Sequence, residues 1–196
     1  MDQETEPKIS SKERRRKYFA ANTDFADYKN SSRNVLMTTR FNDFTWKENE
    51  RYRQQIEKIG CIYPTPQLNN SKISPDKILF VLEMNNDKNR IMGIGMVRNH
   101  AIIKKYRVYT EENYNRYAYV GKTRIDRSEM TEEEENIMRV FDVLCFTGAR
   151  HMKRLQGIKA FPMDMLYKCS KIMDLLDFIT KMFKCRLEKV SKKENT

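Results

Sequence analysis

The sequence predicts an α+β fold: a small, mostly antiparallel β-barrel with an inserted helix and two C-terminal helices. Between residues 34 and 125, runs of β-branched and aromatic residues recur with polar turns between them, which is typical of strands. After residue 128, apolar residues recur at intervals of three and four, which is typical of helices. Strands followed by helices in chain order indicate the α+β class.

We expect a single domain over residues 34–187, because a chain of 196 residues is long enough to bury one core. Residues 1–33 are polar and predict a mobile basic N-terminal arm, whose basic run KERRRK lies at Lys12–Lys17. This run is either a targeting or nucleic-acid-binding patch or a solvated segment. Residues 188–196 predict a C-terminal tail.

The strand region contains a helix near its start. Asp43–Ile59 has helical spacing of its apolar residues, and either Asp43 or Thr45 is suited to cap its first turn. The expected strands are Asn34–Arg40, Lys77–Glu83, Arg90–Asn99, Ala101–Tyr109 and Tyr114–Arg124.

Two long helices are expected to follow the strands. The first covers Ser128–Thr147, because Thr131 and Glu134 have the spacing of a capping box and Gly148 is placed to end the helix. The second covers Met163–Arg186 and begins after Pro162, at a position where proline is tolerated.

The charge of the chain predicts an anionic partner. There are 38 Lys and Arg residues against 27 Asp and Glu residues, which gives a net charge of +11. Nucleic acid is the first expectation and an acidic protein the second. A basic surface without a polyanionic ligand is the remaining alternative.

Four cysteines, at positions 61, 145, 169 and 185, have no metal-site spacing, so we expect no metal and no cofactor. Cysteines in apolar helical patterns favour a reducing compartment, the cytoplasm or the nucleus. No window approaches the roughly 18 apolar residues of a membrane span, so no membrane partner is expected.

The run MGIGM carries two glycines, Gly93 and Gly95, in an expected strand. Arg98 stands where a dinucleotide-binding motif has its third glycine, so that kind of site is not expected. Two glycines two residues apart leave one face of a strand free of side chains. Either a flat ligand or a packed element of the protein fills that space.

Two basic segments are the candidate phosphate contacts. In YNRYAYVGKTR, Tyr117 and Tyr119 share a strand face and alternate with cations, which favours base stacking beside phosphate binding. The loop GARHMKRLQG carries four basic side chains without an acid. Ordinary strand tyrosines and a solvated loop are the alternatives. The candidate phosphate contacts are Arg116, Lys122, Arg124, Arg150, His151, Lys153 and Arg154.

Trp46, the single tryptophan, either lines an aromatic pocket or packs the first helix onto the sheet, with Arg40 and Asn49 close to it in sequence. No nucleophile elbow, zinc-protease motif or spaced carboxylate pair is present, so we expect a protein that is not an enzyme. In the alternative of a nucleic-acid enzyme, Asp126 is the candidate acid.

The runs VLMTTRFNDFTW and ILFVLEMNNDKNRIMGIGMV resemble the PUA-like superfamily, especially its EVE and YTH branches. The resemblance covers residues 34–125 and lies in Thr38, Thr39, Trp46 and the Gly93–Met96 run. It implies a small β-barrel with flanking helices that binds RNA or DNA. It also implies a pocket beside the glycines for a flipped or modified base.

Most of the chain also resembles an uncharacterised protein family encoded by large nucleocytoplasmic DNA viruses. The similar segments are MNNDKNRIMGIGMVRN, YNRYAYVGKTRIDRSE and GARHMKRLQG, in that order. This resemblance implies a viral protein in the host cell or the virion. The expectation is thus a non-catalytic nucleic-acid-binding protein, and the alternative is a viral structural or interaction protein with an acidic protein partner.

Overall fold

The structure is a computed structural model that describes residues 10–20, 23–32, 34–68, 73–75, 77–103 and 105–194. The helices are α1 (Ser11–Ala20), α2 (Thr23–Ser31), α3 (Asp43–Gln55), α4 (Glu132–Phe146), α5 (Met163–Ser170) and α6 (Leu175–Glu194). The strands are β1 (Val35–Phe41), β2 (Cys61–Thr65), β3 (Ile78–Asn85), β4 (Arg90–Arg98), β5 (Ile102–Ile103), β6 (Tyr117–Gly121), β7 (Thr123–Asp126) and β8 (Lys159–Ala160).

The described strands form two sheets and not the closed PUA-like barrel expected from the sequence. The large sheet has the order β7-β4-β3-β1-β8, in which only β1 and β3 run parallel. The small sheet is antiparallel, with the order β2-β6-β5. Because β5 and β8 have two residues each, neither pairs far enough to close a barrel. The α+β class and the mostly antiparallel pairing are confirmed, since β1 with β3 is the one parallel pair among the described strands.

The two sheets are joined where β6 passes into β7. A Cβ atom at Gly121 would overlap the carbonyl oxygen of Met96, so the glycine lets β6 approach β4 closely before the chain enters the large sheet. β7 then pairs with β4 over Gly93–Met96. This corner, rather than a continuous ring of strands, connects the sheets.

The large sheet is covered on both faces. One face packs against α4, α5 and α6, where the rings of Phe80 and Phe183 stack at 4.9 Å. The other face packs against the small sheet and α3. Residues buried on this second face include Met37, Trp46, Tyr63, Val81 and Tyr119. Parallel pairing of β1 and β3 follows from this arrangement, because the crossover between them carries α3 and β2.

Local capping signals are largely confirmed. Thr131 accepts the N–H of Glu134, whose carboxylate accepts the N–H of Thr131, and Gly148 follows α4 with a φ of 72°. At α3 the cap is Asn42 rather than Asp43 or Thr45: its Oδ1 accepts the N–H of Thr45 at 2.8 Å.

Three expected elements differ from the structure. The strand expected over Tyr114–Arg124 is divided at Lys122 into β6 of the small sheet and β7 of the large sheet. The helix expected over Met163–Arg186 is two helices, because Asp174 accepts the N–H groups of Leu176 and Asp177 at 3.0 Å and starts a new helix there. The strand expected over Ala101–Tyr109 pairs only at Ile102–Ile103.

Asn115 binds the backbone at the far end of the segment that was expected to form this strand. Its Oδ1 accepts the N–H groups of Val108 and Tyr109 at 3.0 Å each, and its Nδ2 donates to the Tyr109 carbonyl at 2.6 Å. The amide side chain thus satisfies backbone groups that a neighbouring strand would otherwise bind.

The terminal segments pack more than the sequence predicted. In α2, the rings of Phe25 and Tyr28 lie 5.3 and 5.8 Å from that of Tyr167 on α5. The basic run Lys12–Lys17 lies in α1. α6 continues to Glu194, beyond the boundary expected at residue 187. Residues 1–9, 21, 22 and 33 of the expected arm, and residues 195 and 196, lie outside the described residues.

Candidate functional site

A cleft of about 290 Å3 lies where β1 ends and α3 begins. Its walls come from the β1–α3 junction, the loop before β8 and the segment between β5 and β6, with one residue each from β2 and the β3–β4 turn. No carboxylate lines it within the described residues. We call this the β1 cleft; its lining residues are Thr39, Arg40, Phe41, Asn42, Thr45, Pro64, Asn86, Tyr109, Tyr114, Lys153, Leu155, Gln156 and Gly157.

Arg40 is the principal charge of the β1 cleft. Its guanidinium donates from Nε to the Met152 carbonyl at 2.6 Å and from Nη1 to the Gly157 carbonyl at 3.3 Å. Nη1 and Nη2 also donate to the carbonyl and hydroxyl of Thr38, at 3.3 and 2.8 Å. All of these acceptors are neutral, and no carboxylate pairs with Arg40 among the residues that the structure describes.

Burial lowers the pKa of Arg40 to about 10, which reflects the cost of holding a half-buried cation among neutral partners. The carbonyls fix the orientation of the guanidinium but do not neutralise its charge. An anion entering the cleft would supply the missing charge, and a planar guanidinium is suited to phosphate and carboxylate groups.

Lys153 lies on the loop before β8, whose Met152 and Gly157 carbonyls accept from Arg40. Its Nζ donates to Oδ1 of Asn89 at 2.7 Å, and its carbonyl accepts from Nδ2 of Asn86 at 3.0 Å. Oδ1 of Asn86 is buried without a hydrogen-bond partner among the described residues. The loop is therefore tied to the β3–β4 turn, and the second cation of the cleft is held by a neutral amide.

The aromatic wall of the β1 cleft consists of Tyr109 and Tyr114. Their rings are arranged edge to face with centroids 6.3 Å apart. Burial raises the pKa of Tyr109, whose hydroxyl lies 3.4 Å from Nδ2 of Asn49, so this tyrosine stays protonated at neutral pH. Tyr114 is half-buried and lies in the turn before β6. Aromatic faces next to cations are the combination that binds a base together with its phosphate.

Three residues proposed from the sequence lie in the interior. Trp46 is 6% exposed; its ring packs edge to face on Phe41 at 5.2 Å. The guanidiniums of Arg53 and Arg124 each lie 5.6 Å from its centroid, so the ring is enclosed. Asn49 is 1% exposed and donates to the Ile62 carbonyl at 2.8 Å, and Tyr119 is 2% exposed. We therefore leave Trp46, Asn49 and Tyr119 out of the candidate surface.

The side chain of Arg124 is also paired inside the protein. Nη2 lies 2.7 Å from Oε2 of Glu83, and Nη1 lies 2.7 Å from Oδ2 of Asp126. Burial alone would lower the pKa of Arg124, but the charge of Glu83 and these hydrogen bonds outweigh burial and raise it. Arg124 is thus neutralised by two carboxylates and unsuited to phosphate.

The space left by Gly93 and Gly95 is filled by the same network. A Cβ at Gly95 would overlap the hydroxyl of Tyr63, and one at Gly93 would lie 2.7 Å from Nη2 of Arg124. The space beside the glycines is therefore filled by the protein itself and not left for a flat ligand: side chains of β2, β3 and β7 occupy this face of β4. The β1 cleft does not include either glycine.

Of the other basic residues proposed from the sequence, some are paired with a carboxylate and others are exposed without one in the described structure. Arg150 forms two hydrogen bonds to Asp164, at 2.9 and 3.1 Å. Nδ1 of half-buried His151 has no partner among the described residues. Exposed cations without a carboxylate partner in the described structure are Arg116, Lys122 and Arg154; Tyr117 is half-buried. Of the whole proposed set, the β1 cleft brings together only Arg40 and Lys153.

Sequence reasoning missed the polar and aromatic residues that complete the β1 cleft, chiefly Asn42, Asn86, Tyr109 and Tyr114. Tyr114 belongs to the tyrosine-rich run that the sequence analysis singled out, so composition offered a signal for it. Asn86 had none, because its position follows from the fold of the β3–β4 turn.

Comparison with known proteins adds no relative. No model of a known protein family matches the chain, and no curated protein matches it. Within the described residues, no helix is both long and apolar enough to cross a membrane. In the same residues no three His, Cys, Asp or Glu side chains are grouped as metal ligands would be.

Proposed function

We propose that this protein is a non-catalytic nucleic-acid-binding protein that takes one nucleotide of the bound strand into the β1 cleft. The observation that carries the proposal is the half-buried Arg40, which lies in a cleft without carboxylates and has no acidic partner in the described chain. A phosphate oxygen would accept hydrogen bonds from Arg40 and Lys153 and neutralise their charge.

The size and walls of the cleft support a single nucleotide. A volume of about 290 Å3 is at the lower end of the range for ligand pockets, enough for one base and its phosphate but not for a duplex. Tyr114, beside the ring of Tyr109, offers a ring face and a hydroxyl to a base turned out of a strand. A flipped or modified base is therefore the finer form of the proposal.

The net charge of +11 supports a polyanion as the overall ligand. Arg154 follows Lys153 on the same loop and is exposed, so it extends the positive surface beyond the cleft. We propose that Arg116 contacts phosphates further along the strand, because it lies two residues after Tyr114 and is exposed.

The proposal excludes a catalytic role for Asp126, the acid suggested by the sequence. Its carboxylate accepts from Nη1 of Arg124 and from the N–H and hydroxyl of Ser128. These contacts cap the turn before α4. Burial alone would raise the pKa of Asp126, but the hydrogen bonds outweigh burial and lower it. A carboxylate so held is a poor general acid.

The test is fluorescence-anisotropy binding to single- and double-stranded DNA and RNA over a salt series. We expect single strands to bind more tightly than duplexes, with affinity falling steeply as salt rises. Lys153→Gln should weaken binding and reduce the salt slope by about one. Lys184→Gln on α6 is the matched control, because it removes the same charge from an exposed side chain paired only with Glu188 at 4.0 Å.

Equal losses in the two variants would mean that net charge rather than the β1 cleft binds the strand. Weak binding of all four nucleic acids at physiological salt would contradict the proposal. A reducing compartment, cytoplasm or nucleus, and a host cell or virion remain proposals that go with this function.

A further inference from the structure

A second groove, of about 660 Å3, lies at the corner where the two sheets meet. It is separate from the β1 cleft and shares no lining residue with it. We call it the corner groove; its lining residues have either apolar or basic side chains, apart from Gly121 and Thr123. The apolar ones are Ile59, Ile78, Met96, Val97, Ile102, Tyr106 and Val120, and the basic ones are Lys58, Arg98, His100 and Lys122.

The charge of the corner groove has one sign. Its four basic side chains are exposed, and no carboxylate lines the groove within the described residues. An apolar floor bordered by cations on an otherwise solvated surface complements a ligand with apolar anchors and negative charges.

The backbone beside the groove leaves room for an extended ligand. β7 pairs with β4 only as far as Met96 among the described residues, so Val97 has a strand partner on the β3 side alone. β5 pairs with β6 only at Tyr117 and Ala118, which leaves Val120 paired on the β2 side alone. Two strand ends with one unpaired side each therefore border the groove.

The floor favours a peptide over a nucleic-acid strand. Bases bind by stacking on large aromatic rings, but Tyr106 is the only Tyr, Trp or Phe among the described residues that line this groove. The remaining floor is aliphatic and sulfur-containing, which suits leucine-like or phenylalanine-like side chains.

We propose that the corner groove docks a short acidic segment of a partner protein in extended form. The apolar side chains of this segment fill the floor over Met96, Ile102 and Val120, and its carboxylates pair with Lys58 and Lys122. This interaction is independent of the β1 cleft and adds a protein partner to a nucleic-acid-binding protein.

The experiment is a selection of short random displayed peptides against the immobilised full chain, followed by anisotropy measurements with the selected peptides. We expect selected peptides to be enriched in Asp and Glu around two or more large apolar residues. Lys122→Glu should weaken their binding about tenfold or more, whereas Lys184→Glu on α6 should leave it unchanged.

A second matched pair tests the floor. Ile102→Ser should weaken peptide binding about tenfold, because Ile102 lines the groove. Ile103→Ser alters the adjacent side chain, which is 65% exposed and lies outside the groove, and should have little effect. Both substitutions lie on an edge strand, so thermal unfolding of the two variants shows whether either has simply lost its fold.

A selection without peptides above background would overturn the proposal, as would peptides without acidic enrichment. Peptides bound equally well by Lys122→Glu would do the same. If single-stranded RNA displaces the peptides and Lys122→Glu abolishes RNA binding as well, the groove is a nucleic-acid site and the proposal fails. Unchanged RNA binding by Lys122→Glu, with loss of the peptides, supports two separate sites.

Discussion

Tyr63 on β2 donates its hydroxyl to Oε1 of Glu83 on β3 at 2.8 Å, and this hydrogen bond joins the small sheet to the large one. Both side chains are buried, at 0% and 1% exposure. Arg124 binds the same carboxylate, through Nε at 3.1 Å to Oε1 and through Nη2 at 2.7 Å to Oε2. A single carboxylate thus receives hydrogen bonds from both sheets, which makes Glu83 the centre of the interior polar network.

Glu83→Gln is expected to lower the free energy of unfolding by about 3 to 5 kcal/mol, because it leaves the Arg124 cation buried with only Asp126 beside it. Tyr63→Phe removes one neutral donor and should lower it by about 1 kcal/mol. Urea unfolding of the two variants measures both values. A Glu83→Gln protein as stable as the wild type would show that the network contributes nothing.

Gly95→Ala is expected to destabilise the protein by more than about 2 kcal/mol, because its methyl group would overlap the Tyr63 hydroxyl. Gly148→Ala is the matched control: nothing lies within 4 Å of a Cβ there, and only the φ of 72° is unfavourable, which costs about 1 kcal/mol. Combining Gly95→Ala with Tyr63→Phe should cost less than the sum of the two single changes. Additive losses would contradict the steric explanation.

These relationships show what the sequence could and could not predict. The capping box could be predicted because its two residues, Thr131 and Glu134, are only three positions apart in the chain. The glycines of β4 predicted a cleared strand face, but Tyr63 and Glu83, which fill it, come from distant strands. In the sequence, Arg124 lies among tyrosines and other cations, as a phosphate contact would. The register of β7 on β4 is what brings its side chain beside the Glu83 carboxylate.

The candidate site was predicted less well, for the same reason. Arg40 lies near the end of β1, and the sequence suggested it as a pocket residue. Its lack of a carboxylate partner, on which the proposed function depends, is a tertiary property set by the loop of Met152 and Gly157. The described strands do not close the expected barrel because β5 and β8 have two residues each. At the end of the longer strand that was expected, the N–H groups of Val108 and Tyr109 bind the side chain of Asn115 instead of a neighbouring strand.

The contact between α6 and α4 should depend on pH. Arg186 donates to both oxygens of Glu134 at 2.7 Å, and these hydrogen bonds lower the pKa of Glu134 below its ordinary value. A carboxyl group whose pKa is lowered by folding stabilises the native state above its unfolded pKa, and this stabilisation is lost as pH falls through the folded pKa.

Arg186→Gln should therefore lower the free energy of unfolding by about 2 kcal/mol at neutral pH and by much less at pH values below the folded pKa of Glu134. Urea unfolding at neutral and acidic pH measures the difference. Lys181→Gln, which breaks an exposed pair with Asp177 on the same helix, should change stability little at either pH. A loss for Arg186→Gln that is equal at both pH values would mean that packing, and not the ion pair, stabilises this contact.

Substitutions of Tyr114 and Trp46 should have different effects, because Tyr114 is proposed to bind the ligand and Trp46 packs in the interior. Tyr114→Ala should weaken single-strand binding by about 1 to 3 kcal/mol while the fold is retained, because the half-buried ring lines the β1 cleft. Trp46→Ala should lower the free energy of unfolding by about 3 to 5 kcal/mol, because its ring is enclosed by Phe41, Arg53 and Arg124.

Anisotropy and urea unfolding on both variants give the comparison. If Trp46→Ala folds with near wild-type stability and loses base preference, Trp46 binds the base and the enclosed ring must open to it. If Tyr114→Ala binds all strands as the wild type does, the aromatic wall of the β1 cleft takes no part in recognition. The proposal requires the opposite pattern, in which the cleft tyrosine changes affinity and the interior tryptophan changes stability.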